Sequence, residues 1–240
     1  MGMFMTVQEP TYRDIERRWK ALRARDVRVR EVACVGAPRT LLCAEYGDHT
    51  LPAIHIAAGV HGDEPAGPHA LLALLETDGL DPRFSYRLWP CTNPSGYDAH
   101  TRESIDGLDI NRTFGRGGSS PESRAIITAN RDRKFELAID LHEDDDASGF
   151  YCYEYGGAGI GEPLVDMLSG GGTPIDPRRV LTPDPDAEAE AIGGRTLTQL
   201  LVRNAARLGL TLETPSTVLP FSERVATHVA AVQFALLRLP

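Results

Sequence analysis

A short apolar run that ends in a glycine turn constrains this chain more than any other feature. Residues 54–58 predict a buried strand, and a second apolar run with helical spacing follows the turn. His61 and Glu64 therefore lie where a strand ends, which is where ligands bind in open α/β sheets. His142, at the end of the predicted strand 135–141, is a candidate third ligand. Zinc accepts imidazole and carboxylate together, and a catalytic zinc typically takes three protein ligands and a water.

The composition is that of an ordinary soluble protein. The 240 residues are 42% hydrophobic and are expected to form one domain. A formal charge of −9, without a basic stripe, argues against a nucleic-acid partner. Neither a signal peptide nor a membrane-spanning run is visible, so no membrane partner and a cytoplasmic location are expected. The four cysteines form no Cys-x-x-Cys pair and are expected to be reduced, half-buried strand residues.

The rest of the chain alternates predicted strands and helices. Strands are predicted at residues 27–35, 40–46, 51–58, 83–91, 135–141, 150–155 and 210–213. Helices are predicted at residues 11–25, after Pro65, and at 119–132, 196–208 and 221–239. Turn chemistry is predicted at 92–97, a long polar loop at 98–118, and mobile loops around a short helix at 156–172 and 182–194.

Two features leave the preferred side chain of a substrate open. The acidic run Glu143 to Asp146 is expected to be a solvated loop, with a second cation site or a rim that favours basic substrates as the alternative. Three arginines could instead line a pocket for an acidic side chain, namely Arg195, Arg203 and Arg207. The oligomeric state is also open.

Five short motifs, taken in order, resemble the zinc carboxypeptidase superfamily, which includes succinylglutamate desuccinylases and aspartoacylases. They are His61-Gly-Asp-Glu64, Asn93-Pro-Ser-Gly96, Gly107-Leu-Asp109-Ile-Asn111-Arg112, Asp140-Leu-His142 and Thr211-Leu-Glu213-Thr-Pro215. The resemblance covers residues 54–215 and leaves the first 50, a predicted helix and hairpin, outside it. It implies a single α/β catalytic domain, with a mixed, mostly parallel, twisted sheet flanked by helices.

The resemblance also implies roles for individual residues. His61, Glu64 and His142 would hold one zinc ion per chain, and Asp109 would orient a ligating histidine. Asn111 and Arg112 would bind the free carboxylate of the substrate. Arg102 would face the developing oxyanion, although Arg116 lies in the same loop. Glu213 would be the general base and acid. Three tyrosines, Tyr151, Tyr153 and Tyr155, are candidates for a substrate contact without a matching motif.

Three functions are consistent with these residues. The first is a metallocarboxypeptidase that removes a carboxyl-terminal amino acid from a small peptide. The second is a deacylase that splits an N-acyl amino acid with the same zinc, glutamate and arginine. The third, a zinc-containing binding module without catalysis, is disfavoured because Glu213 and Arg102 are both present. A purely structural zinc site is less favoured still, since such sites are typically closed by four ligands.

Overall fold

The computed structural model describes residues 11–22, 26–157 and 159–240. Its helices are α1 (Tyr12–Ala21), α2 (Ala66–Glu76), α3 (Pro94–Ala99), α4 (Pro121–Asn130), α5 (Gly161–Gly170), α6 (Pro185–Ala191), α7 (Leu197–Asn204) and α8 (Phe221–Leu237). Its strands are β1 (Arg28–Val32), β2 (Leu41–Tyr46), β3 (Ala53–Ala58), β4 (Ser85–Trp89), β5 (Phe135–Asp144), β6 (Phe150–Tyr155), β7 (Ile175–Leu181) and β8 (Ala206–Pro215).

The eight strands form one mixed sheet in the order β1-β2-β4-β3-β5-β8-β6-β7. The central strands β4, β3, β5 and β8 are parallel, while β1, β2 and β6 pair antiparallel to their inner neighbours. The predicted fold class, a single α/β domain with a mixed, mostly parallel sheet, is confirmed. The carboxyl ends of the four central strands therefore meet at one edge of the sheet.

Helices cover both faces of this sheet because the central strands are apolar on both sides. Ile54 and Ile56 of β3 pack in a cluster with residues of α2 and α8, such as Leu71 and Val232. Ala57 faces the opposite cluster, which contains residues of α4 and α7. A strand buried on both faces is a near-continuous apolar run, which is why residues 54–58 stand out in the sequence.

Several predicted elements differ from the structure. Residues 94–99, which span the predicted turn at 92–97 and the start of the predicted loop at 98–118, form α3. Asn93 caps this helix by accepting a hydrogen bond from the Gly96 N–H. The predicted loops at 156–172 and 182–194 contain α5 and α6, and β7 was missed. Residues 206–208 belong to β8, not to the preceding helix. The predicted end of the first helix near Arg25 lies outside the described residues.

The prediction that the acidic run is a solvated loop is wrong for Glu143 and Asp144, whereas Asp145 and Asp146 are exposed in a bend after the strand. Strand β5 continues through Asp144, so Glu143 is buried and pairs with Arg224 while accepting a hydrogen bond from the Ala66 N–H at 2.7 Å. Asp144 accepts hydrogen bonds from the Tyr151 hydroxyl and from Arg178. Tertiary partners on other elements compensate the charges that would otherwise have kept these residues in solvent.

The remaining general predictions concern cysteines and membranes. All four cysteines are free, and all four are buried rather than half-buried. Within the part of the chain that the structure describes, no helix combines the length and the apolar character needed to cross a bilayer.

Candidate active site

Three side chains at the carboxyl edge of the sheet converge to form a possible metal centre. His61 and Glu64 lie on the turn between β3 and α2, and His142 lies in the neighbouring strand β5. The Nδ1 atoms of His61 and His142 lie 2.5 and 2.9 Å from the two carboxylate oxygens of Glu64. One ligand atom from each lies within 4.8 Å of the others, so together they could hold one metal ion.

The burial and charge of this cluster suit a cation. The relative exposures of His61, Glu64 and His142 are 3%, 5% and 2%. Burial alone would raise the pKa of Glu64, but the two imidazoles lower it below its ordinary value. Burial opposes the charged form of His142 as well, yet the carboxylates around it raise its pKa well above the ordinary value. Two buried imidazoles and a buried carboxylate are a donor set that zinc accepts.

Carboxylates lie behind both imidazoles. His61 Nε2 lies 3.2 Å from Asp109 Oδ1, and His142 Nε2 lies 3.3 Å from Asp140 Oδ2. Such carboxylates fix the tautomer that leaves Nδ1 free to bind a metal. Asp140 is 1% exposed, and neither of its oxygens accepts a well-aligned hydrogen bond from the described residues. Sequence reasoning gave Asp140 no role, although it lies two residues before His142 in a recognised motif. We call His61, Glu64, Asp109 and His142 the metal wall.

Arg102 is held beside the metal wall by Asp109. Its Nε and Nη2 donate to Asp109 Oδ2 at 3.2 and 3.0 Å, and its Nη1 lies 3.3 Å from His61 Nδ1. Arg102 lines the cavity, whereas Arg116, the other arginine considered from the sequence, is exposed and does not belong to the lining. Of the two arginines, Arg102 is therefore the one that the fold brings to the ligands.

The Asn93-Pro-Ser-Gly96 motif positions this part of the site through close backbone packing. A Cβ added at Gly62 would lie 1.9 Å from the carbonyl carbon of Gly96, so the turn after His61 passes directly against α3. The Asn93 side-chain amide donates to the Arg102 carbonyl oxygen at 3.1 Å. The motif thus fixes the main chain on both sides of the cavity, at Gly62 and at Arg102.

Asn111 and Arg112 lie on a short 3-10 turn, Ile110–Arg112, which Asp109 caps. The Asn111 Oδ1 accepts a hydrogen bond from the Leu197 N–H at 3.1 Å, which directs its Nδ2 toward His142 Nε2 at 3.3 Å. Arg112 is partly exposed and lines the cavity. Its guanidinium is therefore within reach of a ligand that enters from solvent.

Glu213 lies beside the possible metal ligands because of strand register. It pairs directly with His142 across β5 and β8, and with Tyr151 across β8 and β6. Paired residues project from the same face of a sheet, so Glu213 lines the same cavity. Burial, aided by the charge of Glu64, raises the pKa of Glu213 to about 8 in the metal-free protein. This carboxyl group is poised to exchange a proton near neutral pH.

Other residues that line the cavity, which encloses about 250 Å³, carry different chemistry. We call Tyr153, Tyr155, Glu188 and Thr211 the outer wall. Tyr153 and Tyr155 lie two residues apart on β6, so both side chains project from the same face and line the cavity. Glu188 lies on α6 and also lines it. Sequence reasoning had proposed the two tyrosines as candidates but missed Glu188, because α6 was expected to be a loop.

The sequence was compared with known protein families and proteins. Residues 50–239 match the family model described as the succinylglutamate desuccinylase/aspartoacylase catalytic domain. A segment of 111 residues, 38% of this chain, is 30% identical to Carboxypeptidase SOL1 from Arabidopsis thaliana. That segment covers 23% of the plant protein, so the chain corresponds to only part of that relative.

Solved structures share the fold. A protein from Shewanella amazonensis, described provisionally as a metallopeptidase, superposes with a TM-score of 0.78 at 22% identity, over 94% of this chain and 92% of that one. A metallo-carboxypeptidase from Burkholderia cenocepacia gives 0.72 at 18% identity, over 94% and 68%. Carboxypeptidase A from Helicoverpa armigera gives 0.70 at 14% identity, over 95% and 73%. At these identities the likeness establishes the fold, and it agrees with the resemblance seen in the sequence motifs.

Proposed function

We propose that this chain, which belongs to the succinylglutamate desuccinylase/aspartoacylase catalytic-domain family, is a zinc-dependent metallocarboxypeptidase. Its reaction would be hydrolysis of the carboxyl-terminal amide bond of a small peptide. The observation that carries the proposal is that Asn111 and Arg112 line the same cavity as the His-Glu-His cluster and Glu213. A site that holds a free carboxylate at a fixed distance from a base and a metal selects the last peptide bond of a chain.

The metal that best fits the cluster is zinc, one ion per chain. Two imidazoles and one carboxylate match the three protein ligands typical of a catalytic zinc. When bound, zinc supplies the Lewis acidity that lowers the pKa of a water from about 16 to about 7 and polarises a carbonyl group. His61, Glu64 and His142 would hold it, with Asp109 and Asp140 orienting the two imidazoles.

The remaining residues would bind substrate and move protons. The Arg112 guanidinium and the Asn111 amide would grip the terminal carboxylate of the peptide. Arg102 would donate hydrogen bonds to the carbonyl oxygen as negative charge develops on it. Glu213 would accept a proton from the attacking water and pass it to the leaving nitrogen. A cation held by the cluster would lower the pKa of Glu213 from about 8, so that at neutral pH the carboxylate form is available to take that proton.

A second candidate, hydrolysis of an N-acyl amino acid, is favoured by the family match over residues 50–239. Both reactions release an amino acid with a free carboxylate, so the site would bind the same kind of leaving group in each. The peptide reaction is preferred here because the cavity is open to solvent at Asp145 and Ile192, so that a longer acyl portion can extend outward.

The test is to incubate the zinc-loaded protein with short peptides of varied carboxyl-terminal residue and with N-acetyl and N-succinyl amino acids. Mass spectrometry then shows which compounds disappear. Loss of peptides supports the carboxypeptidase, and loss of acyl amino acids alone transfers the proposal to the deacylase. If zinc stays bound and a peptide binds through its free carboxylate without being cleaved, the chain is a binding module.

The matched variant for this test is Glu213→Gln, with the exposed Glu223→Gln as its control. Glu213→Gln should keep zinc, because it removes no ligand, and should lower turnover roughly 10²- to 10⁴-fold by removing the proton acceptor. Glu223→Gln should behave as the wild type. A Glu213→Gln protein with near-normal turnover would refute the assignment of the base.

A further inference from the structure

The far end of the cavity is formed by α6 and by the segment that returns from it to α7. This segment packs against the turn that carries Arg112: a Cβ added at Gly194 would lie 2.4 Å from the Arg112 carbonyl oxygen. The Phe114 N–H also donates to the Arg195 carbonyl oxygen at 3.1 Å. Glu188 on α6 and Arg112 on its turn therefore belong to one packed unit, and both side chains line the cavity.

Glu188 is held in place by neutral donors. The Tyr155 hydroxyl and the Gln199 side-chain amide each donate to Glu188 Oε2 at 2.7 Å. Gln199 is fully buried and its Oε1 accepts from the Thr196 N–H at 3.0 Å, so the direction of its amide is fixed. Across residues 11–22, 26–157 and 159–240, Glu188 Oε1 receives no hydrogen bond. The carboxylate is oriented in advance, and one oxygen is left for a ligand.

Each of the other acidic residues of the lining lies beside the histidines, pairs with an arginine or is exposed to solvent. Glu64 faces the two histidines, and Glu213 lies beside them. Glu143 pairs with Arg224, and Asp144 pairs with Arg178. Asp145 is exposed at the mouth, where water screens its charge. Glu188 is thus the half-buried carboxylate of the lining that has neither a cationic partner nor a place beside the histidines.

The three arginines considered from the sequence as a pocket for an acidic side chain form ion pairs with other residues. Arg195 and Arg203 both pair with Asp186, and Arg207 pairs with Glu136. The two arginines of the lining, Arg102 and Arg112, lie around Asp109. The lining therefore offers guanidinium groups around Asp109 to a carboxylate, and it offers the Glu188 carboxylate on α6 to a cation.

We propose that Glu188 binds the positively charged side chain of the amino acid that leaves, so that this site prefers substrates ending in lysine, arginine or a related diamino acid. The inference rests on the proposed function and specifies its substrate class. Tyr153 and Tyr155 line the same cavity, and the Tyr155 hydroxyl contacts Glu188. Aromatic rings beside a carboxylate suit a long alkyl side chain with a cationic tip.

The decisive comparison uses substrates that differ in one charge. Peptides ending in lysine and in norleucine have similar stems, so the ratio of their kcat/KM values isolates the ammonium group. A hydrogen bond between charged groups predicts a ratio of roughly 10 to 100 in favour of lysine. In Glu188→Gln, whose amide oxygen can still accept from Tyr155 and Gln199, the ratio should fall toward one. In the control Glu190→Gln, an exposed residue of the same helix, it should stay as in the wild type.

Charge reversal gives an independent variant. Glu188→Lys should prefer a carboxyl-terminal glutamate over lysine. A wild-type preference for norleucine or glutamate, or a lysine preference that survives in Glu188→Gln, would overturn the proposal.

A binding measurement separates this proposal from the proposed function. Titration calorimetry of free lysine, norleucine and glutamate against the zinc-loaded protein requires no turnover. Tighter binding of lysine in the wild type, lost in Glu188→Gln, supports the role of Glu188 even if the panel of peptides and acyl amino acids is not cleaved. Lysine that binds no better than norleucine refutes it, even if peptides are cleaved.

Discussion

Residues of the metal wall and of the outer wall line one cavity, yet the two walls are built differently. In the metal wall, His61, Glu64 and His142 are almost fully buried, and each polar atom faces another member or a close neighbour. In the outer wall, Tyr153 and Glu188 are partly exposed. The first wall comes from turns and strand ends of the central sheet. The second comes mainly from β6 and α6, with Thr211 contributed by β8.

This difference implies a division of labour. A buried cluster whose members orient one another is sensitive to every change, and its loss should affect all substrates alike. A partly exposed wall that contacts only the substrate side chain should change the order of preference among substrates. The two walls can therefore be distinguished by whether a substitution alters all rates together or alters their ratios.

The largest effect is expected for His142→Ala, which removes a possible ligand. Metal affinity should fall more than the roughly 10- to 100-fold typical of losing a residue that only orients a ligand, and turnover of every substrate should be lost. Metal content after dialysis and calorimetry with zinc measure this. The exposed His49→Ala is the control and should bind zinc normally.

A second measurement on the same site is the number of protons released when zinc binds. Calorimetric titration of the wild type with zinc in buffers of different ionisation enthalpy gives this number. The carboxylate neighbours of His61 and His142 outweigh burial and raise both pKa values above that of an ordinary histidine. Protons therefore compete with the metal up to a higher pH than at an ordinary histidine. Zinc binding at neutral pH should release protons, and the affinity for zinc should fall as the pH falls. Full zinc occupancy in His142→Ala would exclude His142 as a ligand and remove the basis of the metal wall.

The sequence revealed the metal wall because its signals are local. His61 and Glu64 are three residues apart between a strand and a helix, and His142 ends an apolar run. The pairing of β3 and β5 as neighbouring parallel strands then brings the three residues together. The contact of Gly62 with Gly96 could not be read from spacing, although both glycines lie in recognised motifs.

The α6 side of the outer wall was missed, as was the neighbouring strand β7, because these elements are not apolar in sequence. Strand β7 reads Ile-Asp-Pro-Arg-Arg-Val-Leu, and α6 reads Pro-Asp-Ala-Glu-Ala-Glu-Ala, so neither shows a buried periodicity. Their polar side chains are compensated by distant residues, as when Arg178 of β7 pairs with Asp144 of β5. Glu143 and Asp144 of the acidic run were mispredicted for the same reason. Periodicity detects burial of apolar groups, and it does not detect burial of groups that are paired through the fold.

An intermediate effect is expected for Arg102→Met, which tests whether a residue that the metal wall holds in place acts on all substrates alike. Loss of a preorganised donor to a developing oxyanion should lower kcat roughly 10²- to 10³-fold, by the same factor for every substrate cleaved. Because Arg102 also pairs with Asp109, zinc content must be measured in parallel. The control is Arg116→Met, an exposed arginine of the same loop, which should leave kcat unchanged. A rise in KM at constant kcat would instead make Arg102 a residue for ground-state binding.

The smallest effect is expected for Tyr153→Phe in the outer wall, because the substitution removes one hydroxyl and keeps the ring. A neutral hydrogen bond is worth about 0.5–1.5 kcal/mol, so kcat/KM should change by less than roughly 15-fold. The change should differ between substrates, since Tyr153 is partly exposed beside the path of the side chain. Steady-state kinetics on a lysine and a norleucine substrate measure it, with Tyr46→Phe on β2 as the control. A uniform loss of 100-fold or more in kcat would place the Tyr153 hydroxyl in the chemical step, and the division of labour between the two walls would then be wrong.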